Sequence, residues 1–199
     1  MEAVQEYYAR SAEDLAERYE SVRFETVHRE VLPFLPTAPA RVADVGAGTG
    51  RDAAAFAARG FDVVAVEPVP ELRAWAQRLH TAAEVTWLDD ALPALPRLAG
   101  PFDLILLSAV WTHLKEDERD PAMRRLYDLT APGGIVALSL RHGPPPADRR
   151  MFDVPVGQTV LLAEHCGFTL LHVSGGGPDR LGRSDVTWSQ LILHKEQAG

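Results

Sequence analysis

Short apolar runs alternate with amphipathic segments along most of the chain. Runs typical of strands lie at residues 41–45, 61–66, 85–88, 102–107, 135–140, 168–173 and 186–194. Helical spacing of apolar residues predicts helices between them: an alanine-rich helix ending at Gly60, one over 70–80, one capped by Asp120 with Pro121 as its first residue, and one over about 157–166. This alternation predicts an α/β fold with a doubly wound, seven-stranded, mostly parallel sheet. Because no helix separates the last two runs, we expect them to form an antiparallel pair at the sheet edge.

The first 36 residues show helical patterns of their own. Ser11 and Asp14 form a capping-box pattern at the start of an amphipathic stretch, and Pro33 ends the last apolar stripe of this region. We therefore predict an N-terminal helical lid or extension over residues 1–36 and a main domain over residues 37–199.

Composition narrows the function classes. With 20 basic against 28 acidic residues, the net charge is −8, which disfavours a nucleic-acid partner because phosphate binding usually needs a basic excess. No apolar run is long enough to span a bilayer, and the N-terminus lacks the layout of a signal peptide. A single cysteine, Cys166, excludes an intramolecular disulfide. We expect a cytoplasmic protein, a monomer or homodimer, and the Ala- and Arg-rich composition favours a bacterial source.

A glycine-rich turn directly follows the first strand of the main domain. The segment VADVGAGTGRDAAAF (residues 42–56) runs from strand to helix through Gly46, Gly48 and Gly50, and glycines let a backbone turn sharply and approach a ligand closely. A dinucleotide fingerprint needs a further glycine at position 51, where this chain has Arg51. The pattern is instead G-x-G-x-G, preceded by the acid Asp44.

This turn resembles motif I of the class I S-adenosylmethionine-dependent methyltransferases of the small-molecule type. Glu67 ends the second strand, where an acid can accept both ribose hydroxyls. The resemblance also covers WLDDALP, in which Asp90 matches the acid that receives the adenine amino group, the fourth strand FDLILLSAVWTHL, and the Pro-Gly-Gly turn before the fifth strand. It extends over residues 41–194 and implies a Rossmann-like methyltransferase fold with S-adenosylmethionine as cofactor and S-adenosylhomocysteine as product. The cofactor-binding set that it implies is Asp44, Gly46, Ala47, Gly48, Gly50, Arg51, Glu67, Pro68, Asp89, Asp90, Ala91 and Ser108.

The acceptor is expected beside the loop that follows the fourth strand. His113 in this loop is a candidate general base, or else a histidine that only packs there; Trp111 is either a wall of the acceptor pocket or ordinary core. Tyr8 and Tyr19 of the predicted lid are further candidates for acceptor contacts. No cluster of His, Asp or Glu has metal-ligand spacing, so we expect no metal.

Basic residues gather on the loops of the predicted catalytic face. They are Arg141, His142, Arg149, Arg150, Arg180 and Arg183. In an acidic protein this gathering suggests that two or more of them bind an anionic group on the acceptor, and Arg141, His142 and Arg183 are the candidates. The alternative is that they are solvated side chains paired with Asp148, Asp179 and Asp185.

Three functions remain open at this point. The first is methyl transfer to an oxygen or nitrogen of a small, possibly anionic, molecule by direct in-line displacement. The second is non-catalytic binding of S-adenosylmethionine or S-adenosylhomocysteine. The third is a nicotinamide-dependent oxidoreductase, which Arg51 and Asp90 disfavour. Asp44 either contacts the ligand or only orients the turn.

Overall fold

Seven strands form a single sheet in the computed structural model, which describes residues 2–197. They are β1 (Arg41–Val45), β2 (Asp62–Val66), β3 (Val85–Leu88), β4 (Phe102–Leu107), β5 (Thr130–His142), β6 (Phe168–Pro178) and β7 (Thr187–Lys195). Their order across the sheet is β3-β2-β1-β4-β5-β7-β6. Strands β1 to β5 pair in parallel, and β7 pairs antiparallel with both β5 and β6. The predicted doubly wound α/β fold is confirmed.

Helices cover both faces of this sheet and precede it. They are α1 (Glu2–Arg10), α2 (Ala12–Glu20), α3 (Phe24–Val27), α4 (Arg51–Ala57), α5 (Pro70–Leu79), α6 (Glu116–Leu129) and α7 (Val156–His165), with 3₁₀ turns at Leu32–Phe34 and Trp111–His113. On one face, α6 and α7 bury Leu126 and Ala163 against the strands. On the other face, α3 and α4 bury Phe24 and Phe56. Burial of apolar surface on both sides is what holds the parallel strands in place.

Two helix starts differ from the sequence prediction. Ser11 precedes α2, but its side chain makes no capping hydrogen bond. Helix α6 begins at Glu116 rather than Pro121, because Glu118 accepts a hydrogen bond from the Lys115 amide (2.8 Å) and so caps an additional turn. Pro121 consequently lies inside the helix, at its sixth residue.

Strand β6 is longer than predicted, whereas β7 (Thr187–Lys195) has the predicted length and is shifted by one residue. Strand β6 was expected to end at residue 173, yet it continues to Pro178, and its register against β7 shifts between Ser174 and Gly177. A bulge of this kind bends a strand and changes the direction of its side chains. The connection to β7 is therefore shorter, and it lies beside the carboxyl end of β5.

No helix within residues 2–197 is long and apolar enough to cross a membrane. The same residues contain no group of three His, Cys, Asp or Glu side chains that could hold a metal ion.

Candidate functional site

A cavity of about 660 Å³ lies at the carboxyl ends of the parallel strands. The loops after β1, β2, β3, β4 and β5 line it on the side of the sheet. On the opposite side it is lined by α1 and α2, through Tyr8, Leu15 and Tyr19. Strands β1 and β4 are neighbours although they are not consecutive, so this is the point at which the strand order reverses. Open α/β sheets bind ligands at such a switch point.

The glycine turn brings bare backbone to the cavity. Gly46 has φ +77°, and a Cβ atom there would lie 2.4 Å from Cγ2 of Val110, so only glycine fits. Gly46, Ala47 and Gly48 line the cavity. Gly50 does not; it ends the turn with φ +83° at the start of α4, where a Cβ would meet Ala76 at 3.0 Å.

Asp44 is a buried carboxylate whose Oδ2 has no hydrogen-bond partner among the described residues. It lines the cavity. Burial, together with the nearby charge of Asp52, raises the pKa of Asp44 well above its usual value. An orphaned carboxylate oxygen facing a cavity is costly in the free protein and is satisfied by a ligand that carries a donor or a positive charge.

Glu67 links the second strand to the glycine turn. Its Oε2 accepts the Gly48 amide (2.8 Å) and its Oε1 accepts the Val69 amide (2.9 Å). Burial raises the pKa of Glu67 to about 7, although these two amide hydrogen bonds oppose the shift. Each oxygen retains a lone pair toward the cavity, which Glu67 and Pro68 line.

The two acids after β3 have different environments. Asp90 is buried and lines the cavity together with Ala91, while its carboxylate accepts the amides of Ala91, Arg97 and Leu98 at 2.7–3.0 Å. Asp89 does not line the cavity, and its exposed carboxylate lies 3.5 Å from Arg73. The structure thus orients Asp90, and not Asp89, toward the cavity.

Arg51 ties the N-terminal helices to the glycine turn. Its Nε and Nη2 donate to the two carboxylate oxygens of Asp52 (2.7 and 3.0 Å), and its Nη1 donates to the carbonyls of Tyr19 (3.1 Å) and Val22 (3.4 Å). His28 contacts the same Asp52 carboxylate at 2.7 Å. Despite burial, these two partners lower the pKa of Asp52. Arg51 stands at the position where a dinucleotide fingerprint has its last glycine. Its side chain connects the start of α4 to the end of α2.

A second tie runs from the turn to the end of α2. The Thr49 hydroxyl donates to Glu20 (2.7 Å), and His80 lies 3.3 Å from the same carboxylate. These two hydrogen bonds lower the pKa of Glu20, although its partial burial acts in the opposite direction. Sequence reasoning missed these partners, because each of them lies more than 25 residues away along the chain.

The loop after β4 carries a strained residue. Ala109 has φ +62°, a left-handed conformation that is uncommon for a residue with a side chain. Its amide donates to the Oγ of Ser139 on β5 (2.7 Å), which holds the loop in place. Ser108 lines the cavity beside it. The Ser139 contact was not predicted, because it joins two residues that are 30 positions apart along the chain.

His113 lines the cavity beside Tyr8 of α1. Its Nδ1 lies 2.8 Å from the Arg150 carbonyl, which only accepts, so Nδ1 carries the hydrogen. Burial lowers the pKa of His113 to about 4, so the ring is neutral near pH 7 and Nε2 is an acceptor. The Tyr8 hydroxyl lies 3.0 Å from Nε2 and therefore donates to it.

Tyr19 lines the cavity near the glycine turn. Its ring lies 3.9 Å from the position that a Cβ would take at Gly48. Burial raises the pKa of both Tyr8 and Tyr19. The two tyrosines thus line the cavity from the N-terminal side, Tyr19 near the turn and Tyr8 beside His113.

Two predicted acceptor residues lie outside the cavity. Trp111 is fully buried in the core formed with α6, which is the second of the two roles expected for it. His142 lies at the end of β5, but its ring contacts Ser189 (3.0 Å) and Asp153 (3.2 Å) instead of lining the cavity. Alternation along β5 places Arg141 and His142 on opposite faces, so only one of them can face the cavity.

The arginines on the cavity wall differ in their partners. Arg183 forms a two-point ion pair with Asp179 (2.6 and 3.1 Å), and Arg149 contacts Asp148 (3.2 Å) and the Tyr7 hydroxyl (2.8 Å). Arg141 is buried and forms no ion pair among residues 2–197. The expected pairing with aspartates therefore holds for two of these arginines and not for Arg141.

Comparisons with known proteins agree with this geometry. A family model described as a methyltransferase domain matches residues 42–134. An uncharacterized methyltransferase of Mycobacterium tuberculosis is 35% identical over 113 residues, which are 53% of this chain and 41% of that protein. One of Geobacillus kaustophilus is 30% identical over 135 residues, covering 67% of this chain and 61% of the other. The chain thus spans about 41% to 61% of the length of these relatives.

Solved structures share the fold at low sequence identity. One of them is a 1,6-didemethyltoxoflavin-N1-methyltransferase of Burkholderia thailandensis with bound 1,6-didemethyltoxoflavin and S-adenosylhomocysteine. It superposes with a TM-score of 0.75 at 22% identity, over 98% of this chain and 88% of the other. A magnesium protoporphyrin IX methyltransferase of Synechocystis with bound S-adenosylhomocysteine gives 0.75 at 16% identity, over 97% and 98%. At such identities the likeness establishes the fold.

Proposed function

Because a methyltransferase-domain model matches residues 42–134 and the fold is that of S-adenosylmethionine-dependent methyltransferases, we propose that this chain transfers the methyl group of S-adenosylmethionine to an oxygen or nitrogen of a small, anionic molecule. The observation that carries the proposal is one continuous cavity, which joins the glycine turn, Glu67 and Asp90 to the Tyr8–His113 pair. The predicted base and the predicted cofactor residues other than Gly50 and Asp89 thus line one cavity.

The residues around the turn fit the cofactor by their chemistry. The unpartnered Oδ2 of Asp44 suits a cationic ligand end, and the remaining lone pairs of Glu67 suit two ribose hydroxyls. Asp90 retains acceptor capacity at Oδ1, which takes only the Ala91 amide. When bound, S-adenosylmethionine supplies a methyl group on a sulfonium, so the acceptor needs only an available lone pair and correct placement.

On the acceptor side, Tyr8 and His113 move a proton. An acceptor that arrives protonated gives its proton to the Tyr8 oxygen, while the Tyr8 hydroxyl gives its own to Nε2 of His113. The Arg150 carbonyl holds Nδ1–H throughout and stabilises the resulting imidazolium. Because Tyr8 comes from α1, we further propose that residues 1–36 act as a lid that completes the site, on a monomer or homodimer.

Calorimetry and product analysis test the proposal. S-adenosylhomocysteine is expected to bind the wild-type protein and NAD is not; the reverse result would favour an oxidoreductase. Incubation with S-adenosylmethionine labelled in its methyl group and a metabolite extract is expected to yield a labelled small molecule. Binding without any labelled product would identify a non-catalytic binder instead.

Two substitutions test the proposed base. Tyr8→Phe and His113→Gln are expected to lower kcat by about 10² or more while leaving the Kd of S-adenosylhomocysteine unchanged. Tyr127→Phe is the matched control, because Tyr127 packs on Phe168 far from the cavity. Equal loss of kcat in the control, or full activity of both site variants, would remove the base from the mechanism.

A further inference from the structure

Arg141 is a buried cation that faces the cavity without a counter-charge. It is 6% exposed and lines the cavity from the carboxyl end of β5. Its Nη1 donates to the Gly143 carbonyl (3.2 Å), and its Nε has no partner among residues 2–197. Burial lowers the pKa of Arg141, and the nearby Arg183 and Arg149 lower it further. A charge in this position is expensive unless an anion joins it.

The geometry of the unpaired edge indicates which anion fits. Nε and Nη2 form the side of a guanidinium that binds a planar carboxylate at two points. This protein uses that side in the pairs of Arg183 with Asp179 and of Arg51 with Asp52. Arg141 uses only its other nitrogen, Nη1, within the protein. The side that elsewhere holds a carboxylate is thus the unpaired one.

The charge balance of the wall favours a single negative charge. Asp179 neutralises Arg183, and Asp148 lies 3.2 Å from Arg149. Asp185, which is exposed, acts on Arg141 only from beyond ion-pair distance. Arg141 is therefore the buried arginine of this wall that has no acid at ion-pair distance among residues 2–197, and a dianionic phosphate would also face the two paired aspartates.

The position of Arg141 assigns the anion to the acceptor. β5 is two strands away from β1, so Arg141 lies about 10 Å from the glycine turn at the usual strand spacing. Its neighbour on β7 is Trp188, and Met151 and Val186 also line this end of the cavity. A carboxylate bound here would place an apolar body against these side chains.

From these observations we infer that Arg141 is the specificity-determining residue for the acceptor, and that the acceptor is a small carboxylic acid with an apolar body, bound at two points through Nε and Nη2. This inference rests on the proposed function, since it names the substrate class of the same site. It also removes Arg183 from the candidates for binding the acceptor's anion, because its Nε and Nη2 already bind Asp179.

Binding of three benzene derivatives to the protein saturated with S-adenosylhomocysteine tests the inference. Benzoate is expected to bind more tightly than phenyl phosphate, and benzamide, which lacks the charge, at least tenfold more weakly than benzoate. Arg141→Met is expected to weaken the binding of benzoate at least tenfold. Arg141→Lys keeps the charge but not the planar geometry, and is expected to weaken the binding of benzoate severalfold. Arg124→Met, which removes an exposed arginine outside the cavity, is the control and is expected to bind benzoate as the wild type does.

The outcomes separate the two proposals. Failure of wild-type protein to bind S-adenosylhomocysteine would refute the proposed function itself. With that binding intact, absent benzoate binding, tighter binding of phenyl phosphate, or benzoate affinity unchanged in both Arg141 variants would overturn the inference. A tenfold loss of S-adenosylhomocysteine affinity in Arg141→Met would also overturn it, by assigning the guanidinium to the cofactor. If Arg141→Met does not fold, Arg141→Lys decides.

Discussion

At the scale of single residues, Gly46 has little freedom to change. Gly46→Ala is expected to cost about 1–3 kcal/mol in unfolding free energy from its positive φ alone, and more because the new methyl group meets Val110. Since the turn must shift, the affinity for S-adenosylhomocysteine is expected to fall as well. Urea unfolding and calorimetry measure the two effects.

A control and a rescue make this prediction specific. Gly157→Ala in α7 meets no atom within 4 Å and is expected to leave stability equal or slightly higher. Adding Val110→Ala to Gly46→Ala removes the colliding Cγ2 and is expected to recover part of the loss. No recovery would mean that the clash is not the reason for glycine at this position.

The raised pKa of Glu67 leads us to expect that cofactor binding depends on pH. Its pKa is raised from 4.5 to about 7 by burial, so in the free protein Glu67 stabilises the fold fully below pH 4.5, and this contribution is lost as the pH rises through about 7. Ribose hydroxyls donate to the ionised form, so ligand binding has the opposite sign. The Kd of S-adenosylhomocysteine is expected to rise up to about tenfold per unit as the pH falls below about 7.

Calorimetry between about pH 6 and about pH 8.5 measures this dependence. Glu67→Gln is expected to bind more weakly and to lose most of the pH dependence, while Glu84→Gln, distant from the cavity, retains it. A wild-type Kd that is flat over this range would contradict the assignment of Glu67 to the ribose.

At the scale of elements, the N-terminal helices depend on Arg51. Arg51→Met is expected to destabilise the fold by about 3 kcal/mol, because it leaves Asp52 with His28 alone and removes the donor from two carbonyls, one in the last turn of α2 and one just after it. The substitution is expected to increase the hydrogen-exchange rate more in α1 and α2 than in β4. Arg124→Met is the control: it removes an exposed pair with Asp120 and should change little. Equal effects of the two variants would show that Arg51 does not hold the helices.

The strands were predictable because each buried strand is a short apolar run with turn residues at both ends. β1, β3 and β4 match their predicted bounds, and the antiparallel last pair followed from the missing crossover helix. The predicted start of α6 at Pro121 was wrong, because proline is most common as the first residue of a helix, whereas here it lies in the second turn. Only the contact between Glu118 and Lys115 fixes the earlier start.

The cofactor side of the cavity was more predictable than the acceptor side. Its residues follow consecutive strands, so strand order alone places Gly46, Glu67 and Asp90 together. The Tyr8–His113 contact joins residues 105 positions apart, and no local pattern encodes it. Similarly, the sequence showed a basic set on one face, but only tertiary contacts distinguish the paired Arg183 from the unpaired Arg141.

At the scale of the whole molecule, ligand binding is expected to stabilise both parts of the chain. The cavity is lined by α1 and α2 as well as by the sheet, so a ligand in it contacts both. At 100 times its Kd, S-adenosylhomocysteine should add about 2.7 kcal/mol to the free energy of unfolding, which corresponds to a rise in Tm of roughly 5–10 °C.

Thermal unfolding with and without S-adenosylhomocysteine checks this, and hydrogen exchange is expected to show slower exchange in α1 and α2 when the ligand is present. NAD is the control ligand and should produce no shift. Stabilisation of the sheet without protection of α1 and α2 would argue against their role as a lid.

The insertion of β7 between β5 and β6 has a consequence for the order of assembly during synthesis. β6 leaves the ribosome before β7 but hydrogen-bonds only to β7 in the described part of the chain, so it cannot join the sheet until its later neighbour has emerged. Gly46, Glu67 and Asp90 precede this step, and Arg183 lies in the connection that β7 must close. A nascent chain can therefore hold its nucleoside pocket, together with Arg141 on β5, before Trp188 and Arg183 complete the wall beside the second substrate.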